Sequence, residues 1–375
     1  MVEVERWMAN LPDSVRTVMN RIESVGYRAY LVGGAVRDMA WKYPVSDWDL
    51  ATDAPMDVLL AWYPTFHPGW RFGVVDAGPG IELAMLRAES AYSDRRHPDR
   101  VVAIPAIRQD LIRRDFTVNA LAVNDHGLES GADTACSDLQ NKVWRAVGAA
   151  PTRFAEDDLR IFRLVRFHMT YGGTIAEETW QAARARLAEG ITVSRERRLA
   201  ELLKMLRAEP INWKSYRNLG LDRGFERPPM QMLPWKWPLS TEARLLYWIR
   251  QGFWDFDGAC QWLGRWPLAR GQRRSLIDAA YWLWKQPEPT GWAYAARLGT
   301  PGSRLLAEMA RAQGYAGILD AAPLAITPWE LQARFGLTGQ KLGEATRYLR
   351  HLVAQDPGKN LRATLERELS LWLKG

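Results

Sequence analysis

A chain of 375 residues is long enough for two to four small domains with real cores. Lysine and arginine exceed aspartate and glutamate by 50 to 43, a modest excess that leans towards a polyanionic partner. Two distant cysteines (Cys136 and Cys260), a charged N-terminus and the lack of any long apolar run argue against a disulfide framework, a zinc site, a signal peptide and a membrane span, so a soluble cytoplasmic protein is expected.

Residues 12–25 have the pattern of an amphipathic helix, capped by Asp13 or Ser14 and stopped by Gly26. The apolar run Tyr30 to Val32 then reads as a short buried strand, and Gly33-Gly34 lets the backbone turn without a Cβ in the way. A helix over 35–41 would leave that turn with its free N–H groups aimed back at it, and with Arg37 nearby this makes a cradle for phosphate. Asp47 and Asp49 are two apart on an expected second strand, so both carboxylates would project from one face. Two hard oxygen ligands beside a phosphate cradle are what Mg²⁺-dependent phosphoryl chemistry requires.

Pro55 to Trp62 reads as a helix opened by proline at its first turn. Strands are expected at 72–76, 81–86 and 101–104, giving a mixed sheet with a helix or two on one face. Glu82 falls in the second of these. It is either a third carboxylate that completes a two-metal site or takes the proton of an attacking hydroxyl, or an ordinary polar position on a half-exposed strand. Residues 87–98 are long, charged and poor in apolar side chains, as in a mobile surface loop.

In Asp110 to Ala122 an apolar stripe (Leu111, Phe116, Val118, Leu121) would fix Arg114, Asp115 and Asn119. Arginine can hold phosphate, and aspartate can accept from ribose hydroxyls. From Arg153 to Phe167 the apolar residues recur with helical period, so a single helix is expected there. Asp157 and Arg160, three apart, would be neighbours on its surface, and as a plain ion pair would contribute only about 0.2–0.5 kcal/mol. Arg160, Arg163 and Arg166 repeat every three residues, a basic flank suited to a triphosphate.

The tryptophans between Trp213 and Trp292 mostly fall at helical spacings and are expected in the core, a few being available to stack on a base. Three closing helices are expected, opened by Thr327-Pro328-Trp329, then Gly339 to Gln355 and Asn360 to Leu373. Their basic residues suit either a phosphate track or a solvated face.

Together, Leu31 to Asp38 with Asp47-Trp48-Asp49, Arg113 to Ala120, and Glu156-Asp157 with Arg160 resemble the motifs of the class II tRNA nucleotidyltransferases, the family of bacterial CCA-adding enzymes and poly(A) polymerases. The resemblance runs from about residue 20 to 206, with Arg195 to Lys204 similar to a stretch that braces the family's templating helix. Residues 129–137 depart from the family's Asp-Pro and paired glycines. The resemblance implies an α+β fold: a polymerase-β-like head over 1–145, then a helical neck (146–206), body (207–322) and tail (323–375). It implies Mg²⁺ on Asp47 and Asp49, nucleotide contacts from Gly33, Gly34, Arg37, Arg114, Asp115, Asn119, Arg163 and Arg166, and base selection by Asp157 and Arg160. The implied reaction adds CCA to tRNA from CTP and ATP by a monomer or homodimer that holds the acceptor stem and elbow. The length of the 87–98 loop favours full CCA or A addition over CC addition. An A-adding enzyme or a poly(A) polymerase of the same fold is the alternative, and a non-catalytic RNA-binding protein on the same scaffold is the reading from a different class.

Overall fold

The computed structural model describes residues 4–374 apart from 65–72, 91–99, 104–105, 209–212, 230–238, 254, 286–288, 297, 299 and 316–323. The chain divides into two compact units, residues 1–193 and 194–375.

The first unit is built on a six-stranded mixed sheet in the order β3-β4-β2-β1-β7-β8. Its centre is β1 (Ala29–Val32), flanked antiparallel by β2 (Trp48–Thr52) and β7 (Leu121–Asn124). All four β1 residues are buried, as an apolar run must be when both faces of a strand are covered. β4 (Ile81–Met85) runs parallel to β2 and antiparallel to β3 (Val74–Gly78), while β8 (Gly127–Ser130) closes the other edge as a hairpin with β7. The helices before and beside the sheet are α1 (Val4–Ala9), α2 (Asp13–Glu23), α3 (Gly34–Ala40), α4 (Met56–Trp62), α5 (Ile107–Ile112) and α6 (Ala135–Asn141). Next come α7 (Ala150–Glu156), α8 (Leu159–Tyr171) and α9 (Glu177–Glu189).

Several expectations need correcting. The start of the expected 87–98 loop is instead a strand, β5 (Arg87–Ser90), which pairs with β6 (Arg100–Ala103) in a separate two-stranded ribbon; the intervening 91–99 lie outside the described residues. Ladder hydrogen bonds join backbone groups, so charged residues can form such a strand once a partner strand is present. β6, expected in the main sheet, pairs with β5 instead. Pro55 sits just before α4 rather than in its first turn. The helix expected over 153–167 is broken at Asp157, whose backbone is extended. Asp157 Oδ1 accepts from the Leu159 N–H and so caps the new helix start, while the Asp158 carboxylate is taken by Arg186 and Thr192. Short acidic side chains compete for free backbone donors and so start helices better than they continue them. α1 was not expected.

The second unit is helical. Trp213, Trp248, Trp262, Trp266 and Trp282 are all buried in it, and Trp262 stacks on Trp266 at 4.8 Å. Its last three helices (Pro328–Phe335, Gly339–Gln355 and Arg362–Trp372) share one small core of Ile326, Leu331, Leu349, Leu365 and Leu369. These match the expected boundaries closely, and strong caps set those of the first: Thr327 and Glu330 form a reciprocal capping box, and Gly336 takes the left-handed conformation that ends the helix.

Candidate active site

The site forms where β1 hands over to α3. Gly33 has φ +67° and ψ −127°, a conformation that an L side chain rarely adopts. A Cβ placed on it would lie 2.5 Å from Arg114 Nη1 and 3.7 Å from Asp49 Oδ2. Glycine is therefore required by the backbone, and a side chain here would also have to displace the Arg114 guanidinium packed over it. α3 has only seven residues, so the positive charge at this turn comes mainly from Arg114 rather than from the helix.

Opposite the turn lies a row of carboxylates. Asp49 in β2 is the direct partner of Glu82 in β4, and Glu82 is the direct partner of Asp76 in β3. Directly paired residues share a face of the sheet, so the three acids form one line. Asp47 precedes the first residue of β2, where the second-strand reading had included it, and is exposed. Burial, together with the charges of Glu82 and Asp47, pushes the Asp49 carboxyl up to about 6, against the opposing pull of Arg114 and Arg163. Asp76 was not expected here. Its place became visible only through the β3–β4 register.

Behind this edge runs a connected polar network. Arg114 Nη2 donates to Asp110 Oδ2 at 3.2 Å, and Arg113 is also paired with Asp110. Burial opposes ionisation of Asp110, but the two guanidinium groups win and hold its carboxyl below the ordinary range. Asp115 accepts from the Phe116 N–H at 2.9 Å, from Asn119 Nδ2 at 3.1 Å and from Arg163 Nε at 2.7 Å. Although burial raises its pKa, the Arg163 charge and these three hydrogen bonds bring it down to about 2. Asn119 Oδ1 in turn accepts from Arg37 Nη1 at 2.6 Å.

Arg37 differs from its expected part. Its side chain is buried, donates to Asp38, Asn119 and Tyr171, and lies 4.3 Å from the Tyr171 ring centroid. With its donors committed in this way it holds Asn119 in place, and Gly34 is near it, with a notional Cβ 3.6 Å from Arg37 Nη2. Asp157 and Arg160 lie at the α7–α8 break. Arg160 donates to Glu156, to the Arg153 carbonyl at 2.8 Å and to the Arg113 carbonyl at 3.1 Å, which ties this break to the Arg113–Asp115 loop. Arg163 reaches the carboxylate row and Asp115, whereas Arg166 lies over the Phe167 ring at 4.1 Å.

Three supporting residues had escaped the sequence reading. Asp110 holds both motif arginines, Arg153 donates to the Val147 and Ile112 carbonyls, and Asp158 receives Arg186 together with the N–H and hydroxyl of Thr192. Only Asp110 left a signal, its spacing of four residues from Arg114.

Among the described residues no group of three or more His, Cys, Asp or Glu side chains is arranged to hold a metal by itself. The donor set nevertheless fits Mg²⁺. That ion takes one or two carboxylates and fills its remaining positions with water and substrate phosphate. The crowding that raises Asp49 is also what a divalent cation would relieve.

The sequence model of the poly A polymerase head domain family matches residues 29–145. A CCA-adding enzyme of Leuconostoc citreum (strain KM20) is 41% identical over 194 residues, 50% of this chain and 48% of that protein. One from Levilactobacillus brevis is 40% identical over 208 residues, 53% and 52% of the two chains. The chain thus spans about half the length of the curated relatives it matches. Among solved structures, a Bacillus stearothermophilus CCA-adding enzyme in complex with CTP superposes with a TM-score of 0.67 at 22% identity, covering 97% of this chain and 100% of that one. A Thermotoga maritima CCA-adding enzyme complexed with tRNA gives a TM-score of 0.62 at 20% identity, covering 99% and 98%.

The protein is therefore α+β, with the fold of these enzymes. Residues 29–145 are similar to the poly A polymerase head domain family.

Proposed function

We propose that the chain is a nucleotidyltransferase that adds CMP, CMP and then AMP to the 3′ end of tRNA from CTP and ATP. The tRNA 3′-hydroxyl attacks the α-phosphate in line, and pyrophosphate leaves at each step. The observation that carries this reading is the Asp49–Glu82 pair facing Arg114 across the Gly33 turn. Asp47 and Asp49 would hold Mg²⁺, which when bound lowers the pKa of the attacking hydroxyl and neutralises charge on the phosphates.

The remaining roles belong to the chain's own side chains. Arg114, steadied by Asp110, would meet the phosphates beside Gly33 and Gly34, and Arg163 and Arg166 would extend that contact along the triphosphate. Asp115, ionised at neutral pH, would accept from a ribose hydroxyl and so favour ribonucleotides, with Asn119 holding its orientation. Asp157 and Arg160 would read the base. A carboxylate accepts from the exocyclic amino group that C and A share, and the guanidinium donates to a ring nitrogen or carbonyl. A U or G would leave a polar group unpaired in a tight site, at a cost of about 1–3 kcal/mol. On this reading Arg160 would release one of its present carbonyl partners to a bound base. Glu82 would serve as third carboxylate or proton acceptor. The head would span 1–145 and the neck 146–206, with a body (207–322) and tail (323–375) that grip the tRNA.

The test is nucleotide incorporation into tRNA transcripts ending at the discriminator base, at C and at CC, with CTP and ATP alone and together. Completion of all three to CCA is expected. Extension of only the CC-ended transcript would make the chain an A-adding enzyme, and a long A tail on any RNA would make it a poly(A) polymerase.

A further inference from the structure

The first unit also contains a cavity of about 840 Å³ away from the carboxylate row. Trp48 lines it, and because side chains alternate along a strand, Trp48 faces the opposite side of β2 from Asp49. Trp7 of α1, Trp41 and Tyr43 supply three more aromatic walls. Among the described residues the cavity is lined by cations (Lys42, Lys142 and Arg6) and by no carboxylate. The Lys142 ammonium lies 5.4 Å from the Trp41 ring centroid and 5.5 Å from that of Tyr43. Trp41 is itself held in place by its indole N–H, which donates to the Leu139 carbonyl at 2.7 Å.

Backbone geometry sets the two lysines apart. Lys42 has φ +59° and Lys142 φ +52°, and among the described residues only Glu226 shares this left-handed conformation without being glycine. Lys142 follows directly on the end of α6 and Lys42 lies one residue further past the end of α3, positions where glycine or asparagine is the usual residue. A cation near a helix C-terminus gains a little from the helix dipole. That gain is open to a lysine anywhere in the last turn without left-handed backbone. Two strained lysines converging on one aromatic cavity point to a use for the side chains themselves.

We propose that this cavity binds a nucleoside phosphate, its base stacked among the indole and phenol rings and its phosphate held by Lys42 and Lys142. The chemistry of the walls selects for both halves. A cationic ligand would meet only positive charge, a small anion would have no use for four aromatic rings, and a neutral aromatic would leave the ammonium groups without a counter-charge. The site is separate from the one proposed for the reaction. It could take a free mononucleotide or an unpaired residue of an RNA strand.

Equilibrium dialysis of the full chain with radiolabelled AMP and with a five-residue single-stranded oligoadenylate tests this without any turnover. Its outcome is therefore independent of the proposed reaction. The double variant Lys42→Asn, Lys142→Asn keeps residues that tolerate left-handed backbone, so its melting temperature should not fall. We expect it to bind one equivalent fewer than the unaltered chain, or to bind that equivalent at least about tenfold more weakly. Trp7→Ala, on the stacking side, should lose the same equivalent. Loss seen with AMP identifies a free nucleotide as the occupant, and loss seen only with the oligonucleotide identifies a strand. Equal uptake by all three chains with both probes would overturn the proposal.

Discussion

Arg227 and Arg163 each sit beside an aspartate, one in each unit, and the two pairs are used in opposite ways. Arg227 is fully buried, with Asp222 3.3 Å away and the Trp248 ring centroid at 4.1 Å. Tyr216 donates to the same aspartate at 2.9 Å, so the charges close on one another inside an aromatic core. Arg195 and Arg198 close in the same way on Glu226. Arg163 instead belongs to a chain of contacts from Arg37 through Asn119 and Asp115, and its charge still reaches Asp49 at the edge of the sheet. A closed pair keeps its charges from any ligand, and here, among the described residues, it leaves the buried Nε, Nη1 and Nη2 of Arg227 without a hydrogen-bond partner, so its desolvation is not fully repaid. An open network leaves charge available to a ligand, at the cost of a carboxylate raised to about 6 in the ligand's absence.

The sharpest way to break this comparison is Asp49→Asn. Transfer should fall by about 10³-fold or more, because an electrostatic site loses the group on which charge is neutralised. The variant should melt at the same temperature or higher, since it removes a crowded carboxylate. A matching loss of stability would mean that Asp49 is structural. Single-turnover assays and a thermal melt together decide the point.

Adding one methyl group to each unit sharpens the contrast. Gly33→Ala forces an L residue into φ +67° and pushes Arg114 aside, so incorporation should drop by about 10²-fold, along with a stability loss of about 1–2 kcal/mol. In the second unit, a Cβ on Gly252 would come within 1.9 Å of Arg227 Nη2, a group with no room to move. Gly252→Ala should cost about 1–3 kcal/mol in a denaturant titration, and its largest effect should be on stability. If Gly33→Ala instead costs stability alone, the turn is no more than a fold element.

Asp115 tests the network by pH. Its folded pKa of about 2 lies below the ordinary carboxylate value of about 3.9. Its stabilising contribution is therefore complete above about pH 4 and is lost as pH falls through about 2. Asp115→Asn should be less stable at neutral pH by about 1–3 kcal/mol, and the difference should shrink across that acid window. A difference that stays constant down to pH 2 would show that Asp115 is not ionised in the fold. The smallest effect is expected at the far end of the chain. Thr327→Ala removes a cap from an exposed helix start and should cost about 1 kcal/mol, readable as faster amide exchange confined to residues 328–335.

Features set by near neighbours were legible in the amino-acid order. The Gly33-Gly34 turn, the period of α2 and the three closing helices each depend on a glycine, a cap or a period within a few residues, and such signals survive in a linear string, although α2 starts after Pro12 rather than being capped by Asp13 or Ser14. Where two local signals competed, the reading failed. The helical period of 153–167 hid a break at Asp157, whose carboxylate takes the Leu159 N–H, and the charged residues of 87–90 read as a loop although a ribbon partner makes them a strand.

Residue types and their spacing were thus the sequence's own contribution. Tertiary structure alone decided which distant groups meet: Asp76 beside Glu82 beside Asp49, Arg114 over Gly33, and Arg37 buried against Tyr171 and bonded to Asn119. The physical reason is that charge, burial and pKa are properties of a position in space. A carboxylate's neighbours come from three strands and an arginine loop, and no spacing along the chain encodes their approach.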